Sequence, residues 1–90
     1  MSASDAAPLR HLFTVQLAPD PNALARLLAP FVIHDVLPER LESVRAADDL
    51  AVRIEFTAPV WVACRLADRL AAMVPVREVT AVAVAEAAAA

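Results

Sequence analysis

The chain contains no glycine, although about 7% is ordinary for a globular protein. That excludes every Gly-rich loop that cradles a phosphate. It also leaves turns to be made by Pro, Asn and Asp. Lysine is missing too, since all eight basic residues are arginine. Without lysine there is no Schiff base and no lysine general base. Aromatic residues make up 4% of the chain and the formal net charge is −3. Nucleic-acid binding calls for a basic patch and stacking rings, so no nucleic-acid partner is expected. Cys64 is the single cysteine. It allows no internal disulfide, which suits a reducing cytoplasm, and a cytoplasmic location is the expectation. No apolar run reaches the ~20 residues of a membrane span, so no membrane partner is expected. The start, Met1 to Pro8, lacks the basic and apolar regions of a signal peptide.

What is present fits one domain. Ninety residues, 60% of them hydrophobic, are rich in apolar side chains for so small a unit, and the excess points to buried interface. Residues 1–8 read as a disordered leader, 9–84 as the domain and 85–90 as a frayed Ala-rich tail.

Residues 9–17 alternate. Leu9, His11, Phe13, Val15 and Leu17 point one way, while Arg10, Leu12, Thr14 and Gln16 point the other. That is a strand with one buried face. Pro19 and Pro21 bracket a turn in which Asp20 or Asn22 can cap the next helix. Leu24, Leu27, Leu28, Phe31 and Val32 then form one apolar stripe at helical spacing. Pro30 sits late in the stripe and should loosen the last turn. Residues 37–46 are polar and irregular, the pattern of a sheet edge. Ala47-Asp48-Asp49 reads as a hairpin turn. Leu50, Val52, Ile54 and Phe56 alternate again. Thr57 or Ala58 is expected to cap a second helix with Pro59 in its first turn. That helix has Val62, Leu66, Leu70 and Met73 on its core side, flanked by Ala63 and Val74, and ends at Pro75. Residues 76–84 make the last strand.

The order is strand, helix, strand, strand, helix, strand. It predicts an α+β, ferredoxin-like βαββαβ domain, a four-stranded antiparallel sheet with two helices on one face. The first and third strands should be central, and the second and fourth should be edges. The uncovered face would carry Leu12, Thr14, Gln16, Arg53 and Glu55.

Two segments carry a family resemblance. Leu17-Ala-Pro19-Asp-Pro21-Asn22-Ala-Leu24 is similar to the polar, proline-marked turn that links the first strand and helix of ACT domains. Leu66-Ala-Asp-Arg-Leu70-Ala-Ala-Met73-Val74-Pro-Val76-Arg-Glu-Val79 is similar to the family's second helix and the start of its fourth strand. The chain resembles the ACT domain family over about residues 10–84, and most closely the short small (regulatory) subunits of acetolactate synthase. Two departures stand out. Asn22 replaces the family's turn glycine, and Pro19 replaces its acidic or amide residue.

The resemblance implies a non-catalytic subunit that activates or stabilises a thiamine-dependent catalytic subunit in branched-chain amino-acid synthesis. Thiamine diphosphate, Mg²⁺ and FAD would belong to that large partner, leaving no cofactor and no metal in this chain. It also implies an amino-acid effector site at Asp20, Pro21, Asn22, Ala23 and Leu24, where a helix start favours a carboxylate. The plainer reading of that turn is an ordinary capped helix. A homodimer joined through edge strands is expected.

On the second helix, Trp61, Arg65 and Arg69 fall off the core stripe. Trp beside Arg is the composition of an interface anchor; the alternative is a Trp folded over the helix start. Cys64 reads as a small apolar residue. His11 reads as a core-edge histidine, and His34-Asp35 as a helix exit. Asp48-Asp49 reads as a solvated turn rather than a cation site. Two other functions remain open. One is a free-standing ACT-like amino-acid sensor. The other is a small ferredoxin-like enzyme, for which only His11, His34 and Glu55 could enter an apolar cavity.

Overall fold

The structure is a computed structural model and describes residues 7–83. The tail expected at 85–90 and most of the expected leader lie outside the described residues. Strand β1 runs Pro8–Leu17, helix α1 Pro21–Leu27, helix α2 Ala29–Ile33 and strand β2 Arg40–Ala46. Strand β3 follows over Asp49–Pro59, helix α3 over Val60–Ala71 and strand β4 over Val76–Ala83. The four strands form one antiparallel sheet in the order β2-β3-β1-β4. This is the expected α+β arrangement, with β1 and β3 central and β2 and β4 at the edges.

The period-2 pattern of β1 sets the layers. His11, Phe13, Val15 and Leu17 are buried. Across the register they face Phe56, Ile54, Val52 and Leu50 of β3. Opposite partners in an antiparallel pair share a face, so both strands present one apolar surface to the helices. Phe56 is the meeting point. Phe13 and Phe31 stand edge-on to it at 4.9 and 5.3 Å between ring centres, and His11 stacks on it at 5.2 Å. Leu27, Leu66 and Leu70 complete the core from the helices.

The first helix departs from expectation. It is two short helices broken at Leu28, and the buried side chains are Ala23, Leu27, Pro30 and Phe31. Val32, expected on the core stripe, is 77% exposed. Pro30 is the cause. It offers no N–H to the carbonyl one turn back and its ring collides with that turn. The chain therefore resets, the Leu28 N–H bonding the Ala25 oxygen at 3.3 Å, and Pro30 becomes an early residue of α2.

The exit of α2 is a Schellman motif. The Val36 N–H reaches the Phe31 oxygen at 2.8 Å and the Asp35 N–H reaches the Val32 oxygen at 3.1 Å. Asp35 takes the left-handed backbone, φ 55°, that glycine fills most easily. His34 and Asp35 thus form the helix exit, as expected.

Other boundaries also move. Residues 37–39 lie outside β2. Asp49 pairs with Ala46 and starts β3, so the hairpin loop is Ala47–Asp48. Thr57 and Ala58 do not cap α3. They extend β3 opposite Arg10 and Leu9, because the buried alternation of Ile54 and Phe56 continues through Ala58. Pro59 itself is the N-cap of α3. That helix ends at Ala71, so Val74 lies beyond it and is 94% exposed.

Phe56→Ala removes the ring that three others contact and should destabilise the fold by about 3–5 kcal/mol, readable as a lowered urea midpoint. Ala47 holds φ 53° at the first loop position of the hairpin, where glycine is unstrained. Ala47→Gly should raise stability by about 0.5–1 kcal/mol, seen as a higher midpoint with an unchanged m value.

Candidate functional site

The turn between β1 and α1 is built by its prolines. Pro19 and Pro21 have no N–H to give. The Asp20 N–H donates to the Ala18 oxygen at 2.8 Å, and the Asn22 N–H donates to Asp20 Oδ1 at 2.9 Å. The Leu24 N–H bonds the Asp20 oxygen at 3.2 Å. Asp20 is therefore the helix cap, one of the two expected candidates. Asn22 lies inside α1 with no left-handed geometry. No backbone donor of residues 19–22 is left for a ligand carboxylate.

A cavity of about 250 Å³ nevertheless opens here, lined by Pro19, Asp20, Pro21, Leu24, Arg45 and Leu50. Of the five residues expected at an effector site, Asp20, Pro21 and Leu24 line it. Asn22 is exposed beside it, and Ala23 is buried in the core. Arg45 and Leu50 are the additions. They are opposite partners across the β2–β3 hairpin, so the turn at 47–48 was the signal that could have placed them together. The cavity combines one cation, one carboxylate and apolar walls. Its volume lies just under the ~300 Å³ at which small-molecule pockets usually begin.

A second constellation sits on the outer surface of the helices. Trp61 is 50% exposed, and Arg65 and Arg69 follow it at successive four-residue steps, both exposed. The chain places all three off the core, as their spacing indicated. Arg69 and Arg26 both line a groove of about 250 Å³ together with Ala29, Pro30 and Met73. Among the described residues Arg26, Arg65 and Arg69 make no ion pair. By contrast, Arg10 and Arg40 on the uncovered sheet face pair with Glu55 and Glu42 at 3.0 and 2.9 Å.

The third constellation is the β2 edge. All seven residues of β2 are exposed. Leu41 and Val44 on the strand, and Val32, Ile33 and Leu37 before it, are exposed apolar side chains. Phe31 packs on Phe56, two residues along β3 from the Ile54 that faces Leu41. The exposed end of α2 and the start of β2 thus share one end of the sheet.

His11 and Glu55, two of the three side chains considered for an enzyme, lie on opposite faces of the sheet. His11 lies on the helix-covered face, its Nε2 2.8 Å from the Ala58 oxygen. Glu55 sits one register position away, which turns it to the opposite face, where Arg10 and Arg40 pair with it. Asp49 pairs with Arg77, whose Nη1 also donates to the Asp48 oxygen at 3.0 Å, so this turn is tied by arginine. Among the described residues no three His, Cys, Asp or Glu side chains gather as a metal site would require. Cys64 is exposed. No helix among the described residues is long and apolar enough to cross a membrane.

No protein-family model matches the chain, and no curated protein matches it. Solved structures do. The crystal structure of the ACT domain from GTP pyrophosphokinase of Chlorobium tepidum superposes with a TM-score of 0.74 at 8% identity, covering 84% of this chain and 100% of that domain. Its solution structure gives 0.71 at 8% identity, covering 83% and 86%. The C-terminal domain of the MgtC protein from Mycobacterium tuberculosis gives 0.68 at 16% identity, covering 97% and 99%. At these identities the fold is what is shared. It is the fold of ACT domains, as the turn and second-helix residues indicated.

Proposed function

We propose that this chain is a non-catalytic, cytoplasmic regulatory module that acts by association, and more finely that it is the small subunit of an acetolactate synthase. The observation that carries the reading is the β2 edge. A bare edge strand next to exposed Val32, Ile33, Leu37 and Leu41 is a template for pairing. A second copy, related by a twofold axis, would extend the sheet and cover these side chains. The fold it shares with an ACT domain of GTP pyrophosphokinase supports a regulatory role. The acetolactate synthase partner rests on the resemblance of residues 17–24 and 66–79.

In this reading Trp61, Arg65 and Arg69 meet an acidic surface of the large subunit. That subunit holds thiamine diphosphate, Mg²⁺ and FAD, and subunit contact favours its active conformation through a coupling free energy. A second reading, an amino-acid sensor, is favoured by the cavity at the β1–α1 turn. Arg45 would take the carboxylate there, Asp20 the ammonium group, and Leu24 with Leu50 the side chain.

Sedimentation and acetolactate formation, with and without this chain added to a thiamine-dependent large subunit, test the first reading. The wild type should sediment as a dimer and raise activity. Leu41→Lys with Val44→Lys should give monomers, since edge charges block strand pairing. Arg65→Glu with Arg69→Glu should leave the dimer intact and weaken docking at least about tenfold. A monomeric wild type at micromolar concentration overturns the edge pairing, and unchanged activity overturns the partnership. For the sensor reading, valine at 100 times its Kd should stabilise the fold by about 2.7 kcal/mol, and Arg45→Ala should abolish the thermal shift.

A further inference from the structure

Arg26 and Arg69 come from separate helices and line one groove. Arg26 stands in the last turn of α1 and Arg69 in the last turn of α3. A cation in a last helical turn is favoured by the helix dipole, which accounts for each residue singly. It does not account for their meeting. Both line the groove of about 250 Å³ whose other walls are Ala29, Pro30 and Met73. No carboxylate lines it, and Asp68, the acid next to Arg69 in sequence, is not among its walls. Neither arginine makes an ion pair among the described residues. Two like charges brought to one concavity repel, and the walls supply no counter-charge.

The donors set the class of ligand. A guanidinium is a planar fork that stays charged at every working pH. One fork is filled by the two oxygens of a carboxylate. Two forks lining one space call for more oxygens and more charge. A phosphate monoester supplies three oxygens and about −1.5 to −2 charge at a single head. The lack of glycine rules out a backbone cradle for such a head, but it leaves a side-chain clamp. The other walls are apolar, and half-buried Met73 adapts to irregular shapes. An apolar cavity of about 150 Å³ already holds benzene, so the groove has room for one ring beside the phosphate.

We propose that the groove between the ends of α1 and α3 binds a small phosphate monoester with an apolar body, its phosphate bridging Arg26 and Arg69. The site goes beyond the association reading and does not depend on it. The two share Arg69, so an occupied groove would compete with docking on the large subunit. Arg26 belongs to the groove alone.

Titration of the full chain with phenyl phosphate, followed by ¹H–¹⁵N NMR, tests this. The amides of Ala29 and Met73 and the Nε–H signals of Arg26 and Arg69 should shift together. Phenyl phosphate should bind at least about tenfold more tightly than benzoate, which leaves one fork unfilled. It should also bind more tightly than inorganic phosphate, which has no ring for the apolar wall. Arg26→Gln and Arg69→Gln, both at exposed positions, should each weaken binding at least about tenfold. Arg65→Gln, one turn away and outside the groove, should change it less than about twofold. Arg26→Gln should leave dimerisation and large-subunit activation as they were, so loss of this site and loss of association are read separately. Equal affinities for phenyl phosphate and either benzoate or inorganic phosphate overturn the proposal. So do an Arg65→Gln effect as large as that of Arg69→Gln, and an absence of shifts at millimolar phenyl phosphate.

Discussion

Phe56 is the side chain on which the layers depend. It stands on a central strand and receives Phe13 from the neighbouring strand, Phe31 from α2 and the ring of His11. Edge-to-face pairs of this kind each add about 0.5–1.5 kcal/mol beyond the area they bury. In a chain with so few aromatic residues, all three phenylalanines are used in one cluster. The cluster fixes where α2 sits on the sheet. That placement fixes in turn the exit at Asp35, the apolar residues that precede β2 and the way the β2 edge is presented.

Much of this was legible in the residues, for a physical reason. Strand alternation is a strong signal where large apolar residues repeat, and β1 and β3 carry Phe, Val, Leu and Ile at every second position. Their central places in the sheet followed from that. The failures cluster where alanine and proline replace those signals. Ala58 is buried as fully as a strand residue should be, yet alanine reads as neutral in any pattern, so β3 seemed to stop early. Pro30 was recognised as a disturbance, but the apolar stripe around it implied one continuous helix. After the break the buried face is Pro30 and Phe31, and Val32 is exposed.

The candidate sites divide in the same way. Asp20, Pro21 and Leu24 could be read from a local turn, because turn chemistry is local. Arg45 and Leu50 reach the same cavity only through hairpin register, which is a pairwise property. Trp61, Arg65 and Arg69 could be placed off the core from helical spacing alone, although spacing does not say what they meet. On the open sheet face Arg10 and Arg40 pair with Glu55 and Glu42, whereas Arg26, Arg65 and Arg69 on the helices make no ion pair among the described residues. Asp68 lies on the same helix between Arg65 and Arg69 and is exposed as they are.

The topology also shapes how the chain must assemble. β1 is made first, yet it pairs with β3 and β4, which arrive late in the sequence. Its edges have no strand partner until β3 is made. Only the β2–β3 hairpin closes locally, and Ala47 gives that hairpin a strained turn. Closing long loops before any contact rewards them is slow. The central β1–β3 pair therefore cannot be complete before Pro59 has been made, and β1 stays without its strand partner until then.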